Sequence, residues 1–404
     1  MKKTLVAVVV MAILGVSAFA SAANIKLGID NIGSYMQLFQ GKRAGLITNP
    51  TGVDSNLKST IDVMVSSGVK LTALYGPEHG VRGNFADGDT ITTFIDDSTK
   101  LPVYSLYGKT YKPTAEMLKD VDVLCFDIQD VGARFYTFIS TMYYAMVACK
   151  EQNKTFVVFD RPNPCGSMVE GAVTTDKSLQ GFTSIGPLPT RHGMTVGELA
   201  LMMNSEWGIG CNLTVIPMSG YNRDMLWADT GLQWINPSPN IPSAMTALVY
   251  SGAGFFEATN VSEGRGLTKP FLITGAPWLN AEDYALLLNI KKLPGALFRP
   301  AYFTPNFSKY QGVMCGGVEV FVTDPQKFRA VAVGLAMVST ARDLGADKFS
   351  YDKPGKAGGV WGIDVMTGDS LLRENKLSDK EILAAWDKQA AEFKAMSSKY
   401  YLYR

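Results

Sequence analysis

Short apolar segments alternate with segments of helical periodicity along the first two-thirds of the chain. The apolar segments are five to seven residues long and are bounded by turn residues, as is typical of buried strands. They lie at residues 43–48, 69–75, 121–126, 155–159 and 213–217. Apolar spacing predicts helices at residues 57–67, 135–150 and 195–207. Strands alternating with helices predict an α/β fold on a parallel sheet with crossover helices.

The pattern changes after residue 272, which indicates a second domain. Here the spacing predicts helices at residues 281–290, 326–344 and 379–399, and a strand at residues 317–323. Ser378 is placed to cap the last helix, as Thr195 with Glu198 is to cap the helix at 195–207. We place the domain boundary near residue 275, which gives domains of residues 23–275 and 276–404.

The first 22 residues have the pattern of a secretory signal peptide. Lys2 and Lys3 precede an apolar run at residues 4–16, and small residues follow at a suitable cleavage site. No cysteine follows the apolar run to carry a lipid. We therefore expect a periplasmic or secreted protein with no membrane anchor after cleavage.

The charge balance argues against a nucleic-acid partner. Loss of the signal segment leaves 36 basic against 37 acidic residues, with no basic patch evident in the sequence. The five cysteines are widely spaced and favour burial as small apolar residues, although export permits one disulfide. They are Cys125, Cys149, Cys165, Cys211 and Cys315. The oligomeric state is left open.

Polar side chains follow four of the predicted strands directly. Ligands of parallel sheets bind at the carboxyl ends of the strands, so these side chains are candidates for one site. The alternative is that loops after strands are polar in any protein. The candidates are Asn49, Glu78, His79, Asp127, Gln129, Asp130, Asp160, Arg161 and Asn163.

The chain has only two histidines, and both lie in glycine-flanked loops beside other ionisable groups. His79 follows Glu78 in a tight loop after Pro77, and His192 follows Arg191. A carboxylic acid beside a histidine and apolar walls is a candidate general acid. The alternative is an ordinary surface turn.

Residues 127–137 form the densest polar cluster. Asp127, Gln129 and Asp130 leave a strand, and Arg134 and Tyr136 open a helix. Their side chains are suited to hydrogen-bond sugar hydroxyls, or Asp130 and Arg134 simply pair at the helix entrance.

Several arginines lie in loops where they could bind an anionic group of a substrate, since arginine pairs with carboxylates through two donors. Ordinary ion pairing explains any one of them equally well. They are Arg82, Arg161, Arg191 and Arg265, the last close to Glu263. A proline-rich loop at residues 236–242, which contains Asn240, is predicted to form a rigid wall. Nearby tryptophans at 207, 227 and 234 could add an aromatic face.

No cofactor or metal is expected from the motifs. The histidines and carboxylates have no ligand spacing, and no GxGxxG follows the first strand. The GxSxG signature of α/β-hydrolases is also absent from the sequence.

The motifs together resemble the bacterial exo-β-N-acetylmuramidases of the NamZ type, formerly a domain of unknown function. The resemblance covers essentially the whole chain after the signal segment. It is carried by ITNPTG (47–52), GPEHGVRG (76–83), FDIQDVGARFYT (126–137), DRPNP (160–164), RHG (191–193) and EGRG (263–266).

This resemblance implies a Rossmann-like amino-terminal domain with the active site, followed by a smaller α/β (α+β) C-terminal domain. It also implies release of N-acetylmuramic acid (MurNAc) from non-reducing ends of peptidoglycan fragments such as MurNAc-GlcNAc. Glu78 matches the family's glutamate and becomes the expected general acid/base, with His79 tuning it. Asp127, Asp130, Asp160, Glu263 and the substrate's own N-acetyl group are the alternatives for the second catalytic group.

Two rival hypotheses remain at this point. A non-catalytic periplasmic binding protein for an anionic amino sugar would use the same arginines and aromatics. A metal-dependent hydrolase or esterase would need a metal in addition. The sequence leaves open whether hydrolysis retains or inverts the anomeric configuration, because this depends on the distance between two carboxyl groups.

Overall fold

The computed structural model of the chain describes residues 25–83, 93–356 and 359–404. The predicted signal segment at residues 1–22 lies outside these ranges. Within them, no helix is both long enough and apolar enough to cross a membrane.

A parallel sheet forms the centre of the first part of the chain. The strands are β1 (Arg43–Thr48), β2 (Lys70–Gly76), β3 (Phe94–Ile95), β4 (Pro102–Ser105), β5 (Val123–Asp127), β6 (Thr155–Phe159), β7 (Glu170–Val173), β8 (Pro189–Arg191) and β9 (Asn212–Ile216). Seven of them pair in the order β3-β4-β2-β1-β5-β6-β9, with only the short β3 antiparallel to its neighbour. β7 and β8 form a separate antiparallel pair. The predicted α/β fold on a parallel sheet is confirmed.

Helices cover both faces of this sheet. α1 (Thr60–Ser66) packs on one face, and α2 (Phe138–Glu151) and α3 (Val196–Glu206) pack on the other. The short α4 (Trp227–Thr230) and α5 (Ala244–Ala253) follow later in the chain. All five residues of β5 are buried. Leu124 and Phe126 belong to the core beneath α2 and α3, and Val123 and Cys125 to the core on the other face. Burial on both faces explains why this strand is apolar throughout rather than alternating.

A smaller unit follows, as expected. Its strands are β10 (Ile273–Ala276), β11 (Ala296–Phe303) and β12 (Cys315–Val322), and its helices are α6 (Ala281–Ile290), α7 (Ala330–Gly345), α8 (Gly362–Thr367), α9 (Leu371–Glu374) and α10 (Asp379–Ser397). The strands form an antiparallel sheet in the order β10-β12-β11. The predicted boundary near residue 275 falls inside β10.

Two glycines allow α5 to cross α7 at close range. A Cβ atom on Gly252 would lie 1.9 Å from the carbonyl oxygen of Ala330, and one on Gly334 would lie 2.4 Å from that of Gly252. The contact fixes α5 against the smaller unit. It thereby positions the 3₁₀ turn Gly254–Ala258 that follows α5 directly.

Both predicted helix caps are present. Thr195 Oγ1 accepts from the Glu198 amide at 3.2 Å, and the Glu198 carboxylate accepts from the Thr195 amide at 3.1 Å. Ser378 and Glu381 make the same capping box at the start of α10. All five cysteines are buried free thiols in this structure, as small apolar residues would be.

Some element boundaries and several elements differ from the prediction. α2 begins at Phe138, because residues 135–137 belong to a loop that turns towards a cavity. α7 begins at Ala330 rather than at residue 326. The sequence pattern missed α5 and β11; α5 is buried on nearly all sides, and β11 carries Arg299 and Pro300 in its centre.

The carboxyl-terminal residues return to the main sheet and tie the two units together. Tyr403 donates its hydroxyl to Asp160 Oδ2 at 2.6 Å and accepts from the Met218 amide at 2.9 Å. The Leu402 amide donates to Glu198 Oε1 at 3.0 Å. Asp160 is fully buried, and this burial raises its pKa to about 6.

We expect Tyr403→Phe to destabilise the fold by about 1–3 kcal/mol, because it leaves a buried carboxylate short of one donor and a backbone amide without its acceptor. Thermal and urea unfolding of the purified variant measure the effect. Tyr302→Phe is the matched control, since its hydroxyl is exposed on β11 and should change stability by less than about 0.5 kcal/mol. Equal free energies of unfolding for the two variants would show that the carboxyl-terminal contact contributes nothing to stability.

Candidate active site

A cavity of about 280 Å³ lies at the carboxyl end of the main sheet, where Met366 of α8 joins residues from the first part of the chain. The loops after β2 and β4, the start of α2, the turn after α5, the loop at residue 265 and α8 contribute to its lining. Its lining residues are Glu78, His79, Tyr107, Phe135, Tyr136, Thr137, Phe138, Thr183, Ser238, Tyr250, Glu257, Arg265 and Met366.

Glu78 is held in the cavity by a tight turn. The Gly80 amide donates to the carbonyl of Pro77 at 2.9 Å, so Glu78 and His79 occupy the two central positions. His79 has a φ of 69°, a left-handed conformation that non-glycine residues adopt rarely and that is often found at functional sites. Glu78 is half-buried, and its Oε2 accepts from the Thr137 hydroxyl at 3.3 Å. The turn therefore presents one carboxyl group to the cavity and buries the histidine beside it.

Arg265 and Glu257 line the same cavity as a contacting pair. Arg265 Nη2 donates to Glu257 Oε1 at 2.6 Å, and its Nε lies 3.2 Å from Glu263 Oε1. Glu257 Oε2 accepts from the Tyr250 hydroxyl at 3.3 Å. Burial raises the pKa of Glu257, an effect that the positive charge of Arg265 opposes. The cavity thus contains the carboxyl groups of Glu78 and Glu257 and the guanidinium of Arg265.

Aromatic rings of tyrosine and phenylalanine form much of the remaining surface. Tyr136 packs edge-on against Phe138 and Tyr250, with ring centroids 4.9 and 5.8 Å apart, and Phe135 packs against Tyr250 at 5.2 Å. Such rings present apolar faces to a sugar. The tryptophans suggested by the sequence lie elsewhere: Trp227 and Trp234 pack against each other at 4.9 Å.

The proline-rich loop contributes to the wall through Ser238. Asn240 is buried in the same loop but is not part of the lining. The loop therefore reaches the cavity through one residue, and the rigid wall stays a prediction; the placement of Asn240 does not support its predicted contact with a substrate.

Asp127 is enclosed in a buried ion pair outside the cavity lining. Arg161 donates through Nε and Nη2 to its two oxygens at 2.5 and 2.9 Å, and the Thr60 hydroxyl donates as well. Arg161 Nη2 also donates to the carbonyl of Val53. Burial raises the pKa of Asp127. Both side chains connect loops of the sheet, which argues against the catalytic role predicted for Asp127 and the substrate contact predicted for Arg161.

Asp130 pairs with His192, not with Arg134. His192 Nδ1 accepts from the Met194 amide at 3.3 Å, so its Nε2 carries the proton and faces Asp130 Oδ2 at 3.2 Å. The ring is fully buried. Asp130 also accepts from the Gly132 amide, and the pair braces the loop that leads to the cavity.

The other polar residues at the strand ends also bind protein groups. Asp160 accepts from the Gly197 amide and the Thr195 hydroxyl at the start of α3. Asn163 donates to the Met194 carbonyl, and Gln129 donates to the Pro162 carbonyl. Asn49 Oδ1 accepts from the amide and the hydroxyl of Thr51. These residues lie outside the lining, and their polar density reflects the need of buried groups for hydrogen-bond partners.

Three further arginines are engaged away from the cavity lining. Arg134 donates to the carbonyls of Val365 and Met366 at the end of α8, and its burial lowers its pKa to about 9. Arg191 forms a buried ion pair with Glu170 at 3.0 Å. Arg82 makes a two-point contact with Asp96 and lowers the pKa of that carboxyl to about 2.

From the predicted set, the cavity therefore takes Glu78, His79, Tyr136 and Arg265. Glu263 is outside the lining, and its Oε1 lies 3.2 Å from Arg265 Nε. The sequence reading missed Glu257, although a single carboxylate within the apolar run of residues 244–261 is a signal of a buried functional group. Among the residues that the structure describes, no three histidine, cysteine or acidic side chains are grouped to hold a metal.

Comparison with known proteins agrees with the sequence motifs. Residues 44–245 match the model of the amino-terminal family of exo-β-N-acetylmuramidase NamZ, and residues 248–403 match its carboxyl-terminal counterpart. The chain is 46% identical to the peptidoglycan β-N-acetylmuramidase NamZ of Bacillus subtilis, over 95% of this chain and 92% of that protein.

Two crystal structures of DUF1343 family proteins from Bacteroides fragilis have the same fold. One superposes with a TM-score of 0.87 at 42% identity, covering 95% of this chain and 100% of the other. The second superposes with a TM-score of 0.75 at 29% identity, covering 94% and 99%. With both family models matched across nearly all of the described chain, the protein belongs to the exo-β-N-acetylmuramidase NamZ family.

Proposed function

We propose that the protein is an exo-acting glycoside hydrolase that releases MurNAc from the non-reducing ends of peptidoglycan fragments, with Glu78 as general acid/base. The observation that carries the proposal is that Glu78 and Arg265 line one cavity. Family membership supports the same reaction class. Export to the periplasm or beyond, as the amino-terminal sequence indicates, would bring the protein to its substrate.

Glu78 suits the role of proton donor to the glycosidic oxygen. Its carboxyl group is half-buried among aromatic side chains and is oriented by the Thr137 hydroxyl. A positioned acid of this kind protonates the leaving oxygen as the bond to the anomeric carbon breaks. Asp127 and Asp160 are enclosed by protein donors on both oxygens, so neither is available for the second catalytic role.

Arg265 suits the role of reading the lactyl carboxylate that distinguishes MurNAc from N-acetylglucosamine. Of the five arginines considered from the sequence, it is the one in the cavity lining as the described residues define it. A guanidinium in a cavity with aromatic walls binds a carboxylate more strongly than it would in water. Ser238 of the proline-rich loop lines the cavity, and exo action would need this loop to close one end of it.

We expect Glu78→Gln to lower turnover of a MurNAc glycoside by about 10²–10⁴-fold, because it keeps the shape of the side chain and removes the proton. A substrate with a poor leaving group shows the effect best. Glu392→Gln, on the exposed face of α10, is the matched control and should keep full activity. Near-normal turnover by Glu78→Gln would refute the assignment. A wild-type protein that binds MurNAc without any turnover would instead be the non-catalytic binding protein.

We expect the wild-type protein to prefer the chromogenic MurNAc glycoside over the N-acetylglucosamine glycoside by at least about 10²-fold, because a site built for a polar group rejects an analogue that lacks it. Arg265→Ala should remove most of this preference by slowing the MurNAc reaction alone. Steady-state kinetics on both substrates give the ratio. Equal hydrolysis of the two by the wild type would contradict carboxylate recognition.

We also expect activity to survive exhaustive chelation, because the sequence around His79 lacks metal-ligand spacing and the described residues hold no group of three histidine, cysteine or acidic side chains that could bind a metal. The assay compares protein dialysed against a chelator with untreated protein. Loss of activity that added zinc or manganese restores would instead make His79 a metal ligand.

A further inference from the structure

Glu257 has two contacts that orient it towards Arg265. It lies in the 3₁₀ turn after α5, and that turn is fixed by the close crossing of α5 and α7. Its Oε1 accepts from Arg265 Nη2 at 2.6 Å, and its Oε2 accepts from the Tyr250 hydroxyl at 3.3 Å. Both oxygens are thus directed by neighbouring groups, and the carboxylate is presented to the guanidinium in one orientation.

Glu263 holds the same guanidinium at a second point. Its Oε1 lies 3.2 Å from Arg265 Nε, and its Oε2 lies 3.0 Å from Lys309 Nζ. Lys309 is itself fixed, because its ammonium donates to the carbonyl of Phe256 at 2.7 Å. The ring of Phe271 lies 5.4 Å from the Arg265 Cζ atom and supports one face. Contacts at Nε and Nη2 together determine the plane of the guanidinium.

The charges of this cluster balance. Glu257 and Glu263 carry two negative charges, and Arg265 and Lys309 carry two positive charges. A partly buried guanidinium without such partners would bear an unfavourable desolvation cost and would adopt several rotamers. With them, the cavity wall holds the guanidinium in one orientation.

We propose that Glu257 is a positioning residue, which holds the Arg265 guanidinium in the cavity lining in the orientation that receives the carboxylate of the substrate. The proposal rests on the function proposed above, and it assigns Glu257 to recognition rather than to proton transfer. Glu257 acts on the substrate through Arg265, so its removal should weaken binding of the carboxylate and leave the chemical step intact.

The test compares kcat and KM of Glu257→Gln with those of the wild type on the chromogenic MurNAc glycoside. We expect KM to rise about tenfold, because an ion pair becomes a weaker hydrogen bond from the guanidinium to a neutral amide, with kcat changed by less than about twofold. Glu257→Asp, which keeps the charge on a shorter side chain, should recover part of the loss and also serves if Glu257→Gln does not fold. The exposed variant Glu392→Gln controls for loss of a glutamate as such.

A double-mutant cycle separates positioning from a merely structural role. In an Arg265→Ala background, Glu257→Gln should raise KM by less than about twofold, since there is no guanidinium left to hold. Equal effects in both backgrounds would overturn the proposal. A fall in kcat of about 10²-fold or more at unchanged KM would overturn it too and make Glu257 a catalytic carboxylate.

Binding of free MurNAc, measured by calorimetry, distinguishes a failure of the proposed hydrolase function from a failure of the positioning role of Glu257. If the wild type binds MurNAc without hydrolysing its glycoside, the proposed hydrolase function fails, while weaker binding by Glu257→Gln would still support positioning. If the wild type hydrolyses the glycoside and Glu257→Gln matches it in KM and in binding, the positioning role alone fails. A wild type that neither binds nor hydrolyses overturns both.

Discussion

The buried guanidinium of Arg134 holds together the segments that surround the cavity. It donates to the Ser184 hydroxyl and to the carbonyls of Val365 and Met366 at 2.8 Å each. Met366, one of these partners, lines the cavity, and so does Thr183, which precedes Ser184. The loop that follows Arg134 lines it as well. Because the guanidinium is fully buried, water cannot replace a lost partner. The shape of the cavity therefore depends on Arg134, a buried side chain outside the lining.

Other buried ion pairs form a framework around this centre. Asp127–Arg161 joins the ends of β5 and β6, Glu170–Arg191 joins β7 to β8, and Glu198–Arg223 joins α3 to the loop after β9. Removing one partner of such a pair typically costs about 3–5 kcal/mol, because the other charge stays buried without compensation. The framework fixes the loops and leaves the chemistry to a few groups. The carboxyl group of Glu78 comes from the amino-terminal family region and the guanidinium of Arg265 from the carboxyl-terminal one, so they meet only when both regions pack.

Sequence reasoning placed the candidate residues at the correct end of the sheet but could not separate structural from cavity-facing side chains. Asp127 and Glu78 both follow buried strands and are both acidic, yet one is enclosed by arginine and threonine and the other faces the cavity. The difference lies in which distant segment packs over each loop. Glu257 was missed for a related reason, since its significance comes from Arg265 and Tyr250, with which it shares no motif.

The sequence by itself determined the parallel sheet, the succession of its main strands and helices along the chain, the capped starts of α3 and α10, and the turn that carries Glu78. These features follow from local periodicity, capping chemistry and backbone preference, which are written in neighbouring residues. The tertiary structure decided the partner of each buried charge, the aromatic lining and the wall formed by Arg265 and Glu257. Those depend on contacts between residues far apart in the chain, where desolvation forces each buried polar group to take whichever partner packing brings to it.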